Sequence, residues 1–247
     1  MRRLALALLL CLCPVIAEAA DGAQFQALGF SPDARYFAFE QFGIQDGSGF
    51  SYADVFIIDT EKNEWVKGSP IREMTEDESG KLGLSHARAL ERAAPLLKSA
   101  GITEPAELLA AFPATQVGLP RNMVKFDRYY NSTGGGAEDG TANAEIRMEL
   151  ALSTAEVAIP ENCKAYEEPV KGFTLTMKRG EQAQPATVHS DAALPASRGC
   201  ALGYDIAAVY GPSGYPETRR LVALIAVYTR GFEGQDRRYI AVPFADP

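Results

Sequence analysis

The chain has 247 residues, with 24 Lys and Arg against 32 Asp and Glu and a formal net charge of -8. A chain of this length can bury the core of one large domain or of two small ones. Its acidic balance argues against nucleic acid and anionic lipid as partners, because phosphate binding requires a basic surface.

The first nineteen residues have the features of a secretory signal peptide. Arg2 and Arg3 precede an unbroken apolar run, Leu4–Cys13, which suits a signal-peptide core and is too short to span a bilayer as a mature helix. We expect cleavage after Ala19 or, as the second choice, after Ala20. Neither a lipoprotein signal nor a twin-arginine signal fits the neighbouring residues, and no later segment has the length of apolar residues that a membrane span requires. The sequence therefore predicts a periplasmic or secreted protein.

Removal of this segment changes both the charge and the cysteine content. The balance becomes 22 basic against 31 acidic residues, because Arg2, Arg3 and Glu18 are lost. Only Cys163 and Cys200 remain of the four cysteines, and an even pair in an oxidising compartment predicts one disulfide. A redox-active pair is the alternative, but CxxC spacing is absent. No low-complexity linker divides the mature chain, so we expect a single domain.

The first mature segment predicts three strands. The turn sequence Phe30–Arg35 contains Pro and two residues that can bond local amides. The aromatic run Tyr36–Glu40 follows as a strand, and Gly43–Gly49 follows as a loop. Tyr52–Asp59 is nearly continuously apolar at its centre, which is typical of a strand buried on both faces. A third strand is expected to begin at Glu64.

The segment Phe30–Asp59 resembles one blade of the TolB-type periplasmic β-propellers. In that family the turn usually reads Ser-Pro-Asp-Gly, whereas Ala34 occupies the Gly position here. If the left-handed conformation is retained, the Ala side chain costs about 1 kcal/mol. The motif occurs clearly once, and a propeller needs several blades. The resemblance therefore implies blade-like antiparallel meanders, arranged as an incomplete propeller or as a sandwich.

The chain as a whole also resembles a bacterial family of predicted secreted proteins of unknown function. The shared character lies in Phe30–Asp33, in Gln45–Gly49 and in the carboxy-terminal stretch Arg237–Val242. This resemblance implies export and one domain type, and it brings no catalytic residues.

Residues 85–112 change to a helical pattern. Ser85 is a candidate cap for a helix with apolar residues at helical spacing, Pro95 is expected to kink or break it, and Gly101 is expected to end it. A second helix is expected over Glu104–Ala111. The sequence thus predicts a helical hairpin that covers one end or face of a sheet.

The remainder of the chain returns to strand patterns. The predicted strands are Val124–Tyr130, Ala144–Leu152, Phe173–Lys178, Ala201–Tyr210, Leu221–Tyr228 and Arg238–Phe244. The first two flank a loop rich in Gly and acidic residues, which predicts a long-looped hairpin. The expected fold is mainly β with a helical insert, an α+β fold.

Candidate metal ligands are few. The only two histidines, His86 and His189, stand apart from each other and from the cysteines, so a zinc site is disfavoured and lone surface or helix-packed histidines are expected. Asp46 and Asp54 are weak calcium candidates, because they place oxygen ligands on or near a flexible loop, but the spacing does not fit an EF-hand. A solvated loop is the alternative. The sequence indicates no other cofactor.

Catalytic motifs are also lacking. Gly211–Tyr215 lacks the last Gly of a nucleophile elbow, and a Ser-His-Asp triad would have to recruit His86 or His189. Gly134–Gly136 lacks the Lys of a phosphate-binding loop. A glycosidase could use paired carboxylates, but no pair stands out among 31 acidic residues.

Two classes of function therefore remain open. The first is an exported, non-catalytic binding or scaffold protein with an envelope protein or a small ligand as its partner. The aromatic residues that favour it are Tyr36, Tyr52, Trp65, Tyr129, Tyr130 and Tyr215. The alternative is a secreted hydrolase or a calcium-dependent carbohydrate-active protein with unlocated carboxylates. Two close, buried carboxylates in a pocket would favour the alternative, and an aromatic surface without perturbed acids would favour the first class.

Overall fold

The structure is a computed structural model that describes residues 20–76, 82–112, 120–131, 143–166, 168–181, 183–213 and 220–245. The predicted signal peptide and most of the predicted acidic loop lie outside these residues. Within the described part of the chain, thirteen strands form three antiparallel sheets beside one α-helix. The prediction of a mainly β fold is thus confirmed.

The three sheets are named here by their position in the stack. The helix-side sheet contains β1 (Gln24–Phe30), β2 (Tyr36–Ile44), β3 (Ser51–Asp59), β4 (Glu64–Trp65) and β5 (Ile71–Thr75), in the order β1-β2-β3-β4 with β5 also paired to β3. The middle sheet contains β6 (Ala106–Ala111), β11 (Gly203–Pro212), β12 (Arg220–Arg230) and β13 (Gln235–Ala245), in the order β13-β12-β11-β6. The outer sheet contains β7 (Met123–Asn131), β8 (Asn143–Glu156), β9 (Lys171–Arg179) and β10 (Ala186–Ser190), in the order β10-β9-β8-β7. The helix α1 spans Leu82–Ser99, and short 3-10 turns span Glu161–Tyr166 and Ala196–Arg198.

The layers stack in the order α1, helix-side sheet, middle sheet, outer sheet. Strand β12 shows why: its residues Leu221–Val227 are all buried and alternate between two core clusters. Val222 and Leu224 pack toward the helix-side sheet, whereas Leu221 and Ile225 pack toward the outer sheet. A strand with a layer on each face reads as continuously apolar. The same reason applies to β3, which lies between α1 and the middle sheet and was predicted to be buried on both faces.

The turn between β1 and β2 forms as the sequence predicts. Ser31 Oγ donates to Asp33 Oδ1 at 2.6 Å and accepts the N–H of Tyr36 at 2.9 Å. Ala34 has a φ of 53°, so the left-handed conformation is retained without glycine. The methyl group of Ala34 is fully buried in the core between the helix-side and middle sheets.

The predicted second helix is wrong. Residues 106–111 form β6, which pairs with β11 in an antiparallel register, for example Ala110 with Val209. Ala, Glu and Leu favour a helix locally, but the pairing with β11 makes this segment the edge strand of the middle sheet and overrides that preference. The insert is therefore one helix followed by a strand, and there is no helical hairpin in the described residues.

The first helix is real but begins before the predicted cap. Ser85 lies in its first turn, where the hydroxyl donates to the carbonyl of Leu82 at 3.1 Å instead of capping the helix. The helix continues through Pro95 to Ser99. Gly101, with a φ of 68°, then ends it as predicted.

The described sheets form a stack, and they close into neither a barrel nor a propeller. The segment Phe30–Asp59 forms the antiparallel pair β2–β3, so its resemblance to a propeller blade stays a prediction. In the described residues no helix has the length and apolar character needed to cross a membrane.

Candidate functional site

A cleft of about 320 Å³ lies beyond β13, the edge strand of the middle sheet. Residues Tyr239–Val242 of β13 form its floor. The helix-side sheet supplies one wall, and β10 with the segment after it supplies the other. Because the sheet order ends at β13, the cleft occupies the place where a fifth strand of the middle sheet would lie. We call this feature the β13 cleft.

The wall from the helix-side sheet is aromatic. Phe39 and Phe56 face each other across β2 and β3, and their rings stack with centroids 4.8 Å apart. Trp65 lies 5.9 Å from Phe56 and continues this wall outward. Phe39 and Phe56 are buried, but Trp65 is 42 % exposed. The apolar core thus extends into an exposed indole ring, which belongs to the single Trp of the chain.

A tight turn places Trp65 at the cleft. The carboxylate of Asp59 accepts the N–H groups of Glu61 at 3.0 Å and Lys62 at 3.2 Å, and Asn63 adopts a φ of 53°. Asp and Asn favour such turns because their side chains bond nearby amides and tolerate the left-handed region. The turn reverses the chain after β3 and sets Trp65 opposite Ile58.

The opposite wall is a rigid polar cluster. Asp191 accepts hydrogen bonds from His189 Nε2 at 2.9 Å, from the N–H of Phe173 at 3.0 Å and from Arg198. Burial raises the pKa of the Asp191 carboxyl, but these three donors outweigh it, so the pKa lies below its usual value. His189 stacks on Phe173 with centroids 4.7 Å apart, and the Arg198 guanidinium lies 4.5 Å from the same ring. The cluster is therefore held by stacking and by charge together.

Two local features position this cluster on the wall of the cleft. The pairing of β10 with β9 shifts register between Thr187 and His189, which is the irregularity of a β-bulge and redirects the side chains that follow. The Sγ atoms of Cys163 and Cys200 lie at disulfide distance, 2.09 Å, and tie the segment that carries Arg198 to the 3-10 turn at Glu161–Tyr166. The predicted cysteine pair thus lies two residues from a wall of the cleft.

A second polar group lines an adjoining cavity of about 280 Å³, which shares Trp65, Arg198 and Tyr239 with the β13 cleft. Gln41 Nε2 donates to Asp54 Oδ2 at 3.1 Å, and Gln41 Oε1 accepts the N–H of Tyr239 at 2.8 Å. Burial raises the pKa of the Asp54 carboxyl, and the bond from Gln41 and the charge of Arg72 offset only part of that effect. Arg72 Nε is 3.9 Å from Asp54 Oδ1 and largely exposed.

Asp21 anchors the amino terminus beside this group. Its carboxylate accepts the Tyr52 hydroxyl at 2.9 Å and pairs with Arg238. The guanidinium of Arg238 lies 4.5 Å above the Tyr52 ring. These contacts hold Arg238, which lines the adjoining cavity, beside the start of the described chain.

The structure separates the two histidines, as predicted, but only one is a helix-packed residue. His86 lies on α1, and its Nδ1 is 2.9 Å from Oε1 of the buried Glu40. His189 lines the β13 cleft, so the expectation of a lone histidine missed its hydrogen bond with Asp191. Asp54 lines the cavity that adjoins the β13 cleft, whereas Asp46 lies in the loop between β2 and β3. Among the described residues, no group of three or more His, Cys, Asp and Glu side chains is arranged to hold a metal ion, and calcium binding stays a prediction.

The residues around His189 do not form a catalytic triad. In the described part of the chain, His189 Nε2 donates to Asp191 and lies 3.3 Å from Arg198 Nη2, and no hydrogen bond joins the ring to a hydroxyl or thiol group. Ser213, considered as a nucleophile, lies at the end of β11 with its N–H bonded to the carbonyl of Pro105. The described residues thus offer fixed hydrogen-bonding groups in a cleft, and none of them is a hydroxyl or thiol bonded to His189.

Sequence reasoning found Trp65 and Asp54 but missed the residues that build the polar wall. Asp191 follows His189 by two positions, and Arg198 precedes Cys200 by two. The short His-x-Asp spacing at a strand end was the available signal. Gln41 and Arg238 left no local signal, because their partners lie far away in the sequence.

No curated protein and no solved structure matches the chain. A family model described as Predicted secreted protein (DUF2259) matches residues 38–244, which is most of the chain. The description confirms the predicted resemblance and the periplasmic or secreted localisation, and it assigns no ligand or reaction. The chain therefore belongs to this family of predicted secreted proteins.

Proposed function

We propose that this exported protein is a non-catalytic binding protein and that the β13 cleft is its binding site. The observation that carries the proposal is the exposed Trp65 opposite the fixed cluster of His189, Asp191 and Arg198. Ligand sites are typically concave, largely apolar, and supplied with a few polar groups held in place. Trp suits such a site because it offers a large apolar face and one N–H donor.

The charges in the cleft support binding over hydrolysis. A hydrolase with two carboxylates needs a pair whose pKa values are driven apart. Here Asp191 is held ionised by its donors, and Asp21 is bonded to Tyr52 and Arg238. Asp54 has a raised pKa, but its recorded partners are Gln41 and Arg72 rather than a second acid.

The single Trp makes the proposal directly measurable. The mature protein is titrated with a defined panel: a library of linear decapeptides, a set of oligosaccharides and the free amino acids. A ligand that enters the cleft should change the emission of Trp65, because the indole ring passes from water into a contact.

Matched variants then locate the site by calorimetry. Trp65→Ala should weaken the binding of any active panel member by at least about tenfold, since an aromatic anchor in a pocket commonly contributes that much. Lys125→Ala, on the solvent-facing side of the outer sheet, should leave the affinity unchanged. The proposal is wrong if no panel member binds, or if the two variants bind equally well.

A further inference from the structure

The backbone of β13 has one edge that faces the cleft. Its pairing with β12 is continuous over eleven residues without a register shift. In an antiparallel strand, the N–H and C=O of one residue point to the same side, and successive residues alternate. Arg237 bonds away from β12, to residues 21 and 23, and Tyr239 N–H bonds away from β12 to Gln41. By the same alternation, the backbone groups of Ala241 and the carbonyl of Pro243 point into the cleft.

Both ends of this edge are already protected. At the upstream end, the N–H of Ala23 donates to the Arg237 carbonyl at 3.0 Å, and the N–H of Arg237 donates to the Asp21 carbonyl at 2.9 Å. At the downstream end, Pro243 has no N–H to offer. Proteins commonly cover or blunt strand edges in these ways, because an open edge recruits other chains.

The stretch between the two protected ends stays open. Within the described residues, no hydrogen bond from outside the middle sheet reaches the carbonyl of Tyr239 or either backbone group of Ala241. Ala241 is only partly buried and lines the cleft. The open groups that face the cleft are therefore the carbonyl of Tyr239, the N–H of Ala241 and the carbonyl of Ala241. They are spaced as along the edge of a strand.

We propose that the ligand of the β13 cleft is an extended polypeptide segment of a partner protein, which pairs with β13 at Tyr239–Ala241 and adds a fifth strand to the middle sheet. The inference rests on the proposed function of the cleft. Only another backbone supplies a complementary donor and acceptor at this spacing, as in known modes of β-strand addition.

The walls of the cleft fit the two faces of such a strand. A strand paired with β13 lies about 4.8 Å from it, and its side chains alternate between the two faces of the sheet. One set of side chains would meet Trp65 and Phe56, and the other would meet the stacked side chains of His189 and Arg198. The best partner segment therefore alternates, with apolar residues on the Trp65 side.

The first described residues of the chain do not occupy this place. Residues 21–23 run parallel to β13, so Ala20 lies toward the hairpin between β12 and β13. Ala20 accordingly approaches Gly234, where a Cβ atom on the glycine would lie 3.3 Å from the Ala20 methyl. The amino terminus thus uses the same edge but leads away from the open stretch.

The first test uses the decapeptide library as the probe and changes one backbone donor. Ala241→Pro removes the N–H that faces the cleft and leaves the bonds to β12, as Pro243 already does two residues later. Ala241→Ser keeps the N–H and serves as the matched control. We expect at least a tenfold loss of affinity for selected decapeptides with Pro and less than a threefold change with Ser.

The second test changes the peptide instead of the protein. It tests strand pairing even if the Ala241→Pro variant fails to fold. Each peptide bond of a selected decapeptide is N-methylated in turn, and binding to the unaltered protein is measured. Strand pairing predicts that methylation abolishes binding at alternate positions of a short stretch. Loss of affinity at every position or at none overturns the inference.

The outcomes separate this inference from the proposed function. If oligosaccharides or amino acids bind with dependence on Trp65 and no decapeptide does, the cleft is a binding site and the strand inference is wrong. If decapeptides bind equally to the Pro and Ser variants, the strand inference is also wrong. If no panel member binds with dependence on Trp65, the proposed function fails and the inference falls with it.

Discussion

Replacement of Glu40 by Gln should change the pH dependence of stability. Glu40 lies on β2, faces α1 and is fully buried among apolar residues such as Val55. In the described structure the side chain within ion-pair distance of Glu40 is His86, whose Nδ1 lies 2.9 Å from Oε1. Burial raises the pKa of the Glu40 carboxyl from 4.5 to about 7.

The sign follows from proton linkage. Between about pH 4.5 and pH 7, folded Glu40 keeps a proton that the unfolded chain has lost, so the free energy of unfolding falls as the pH rises. At about 1.4 kcal/mol per pKa unit, the loss reaches about 3 kcal/mol by pH 8.

The assay is urea unfolding followed by the fluorescence of Trp65, from pH 5 to pH 8.5. Glu40→Gln preserves the shape and cannot ionise, so its stability relative to the wild type should increase by up to about 3 kcal/mol across this range. Glu91→Gln, on the exposed face of α1, is the control and should show no such trend. A difference that is constant with pH, or one that decreases, would refute the reasoning.

Three further predictions concern stability and use the same unfolding assay. Gly29→Ala should lower the free energy of unfolding by about 2–4 kcal/mol, because φ is 136° and the added Cβ would lie 2.5 Å from a backbone oxygen. Gly47→Ala, at φ 84° with open space around it, should lower it by only about 1 kcal/mol. Equal losses in the two variants would contradict this. Replacing Cys163 and Cys200 by Ala should lower the free energy of unfolding by about 4 kcal/mol, because the bridge closes a loop with a sequence separation of 37 and restricts the unfolded chain. Unchanged stability after reduction would argue against a closed bridge. Ala34→Gly should change the free energy of unfolding by less than about 1 kcal/mol, because glycine relieves the strain of the left-handed φ but removes a buried methyl group. A gain of about 2 kcal/mol would show that backbone strain dominates.

Strands with local signals were the predictable part of the fold. The turn at Ser31–Ala34 and the apolar centre of β3 are properties of adjacent residues, so they could be read without knowledge of the partners. The conformation of Ala34 was also predictable, since the turn geometry fixes it. In contrast, β6 reads as a helix, because Ala, Glu and Leu carry a helical preference that only the pairing with β11 overrides.

The candidate site was mostly beyond prediction from the sequence. Trp65, His189 and Tyr239 meet in one cleft although more than a hundred residues separate the first from the second. Trp65 and Asp54 were noticed for their chemistry, but nothing local indicates that they share a cleft. The type of a side chain indicates which interactions it can make. Whether the two walls of the cleft face each other depends on how the sheets stack.

Local sequence patterns were sufficient to predict the secreted class and the segments that alternate or run apolar as strands. These properties are local, because a signal pattern and a period of two residues lie within a few neighbouring positions. The positions of β12 at the centre of the stack and of β6 and β13 at the two edges of the middle sheet come from the tertiary structure. Pairing partners are set by long-range packing, so the open edge at Tyr239–Ala241 between Trp65 and Arg198 exists only in the assembled fold.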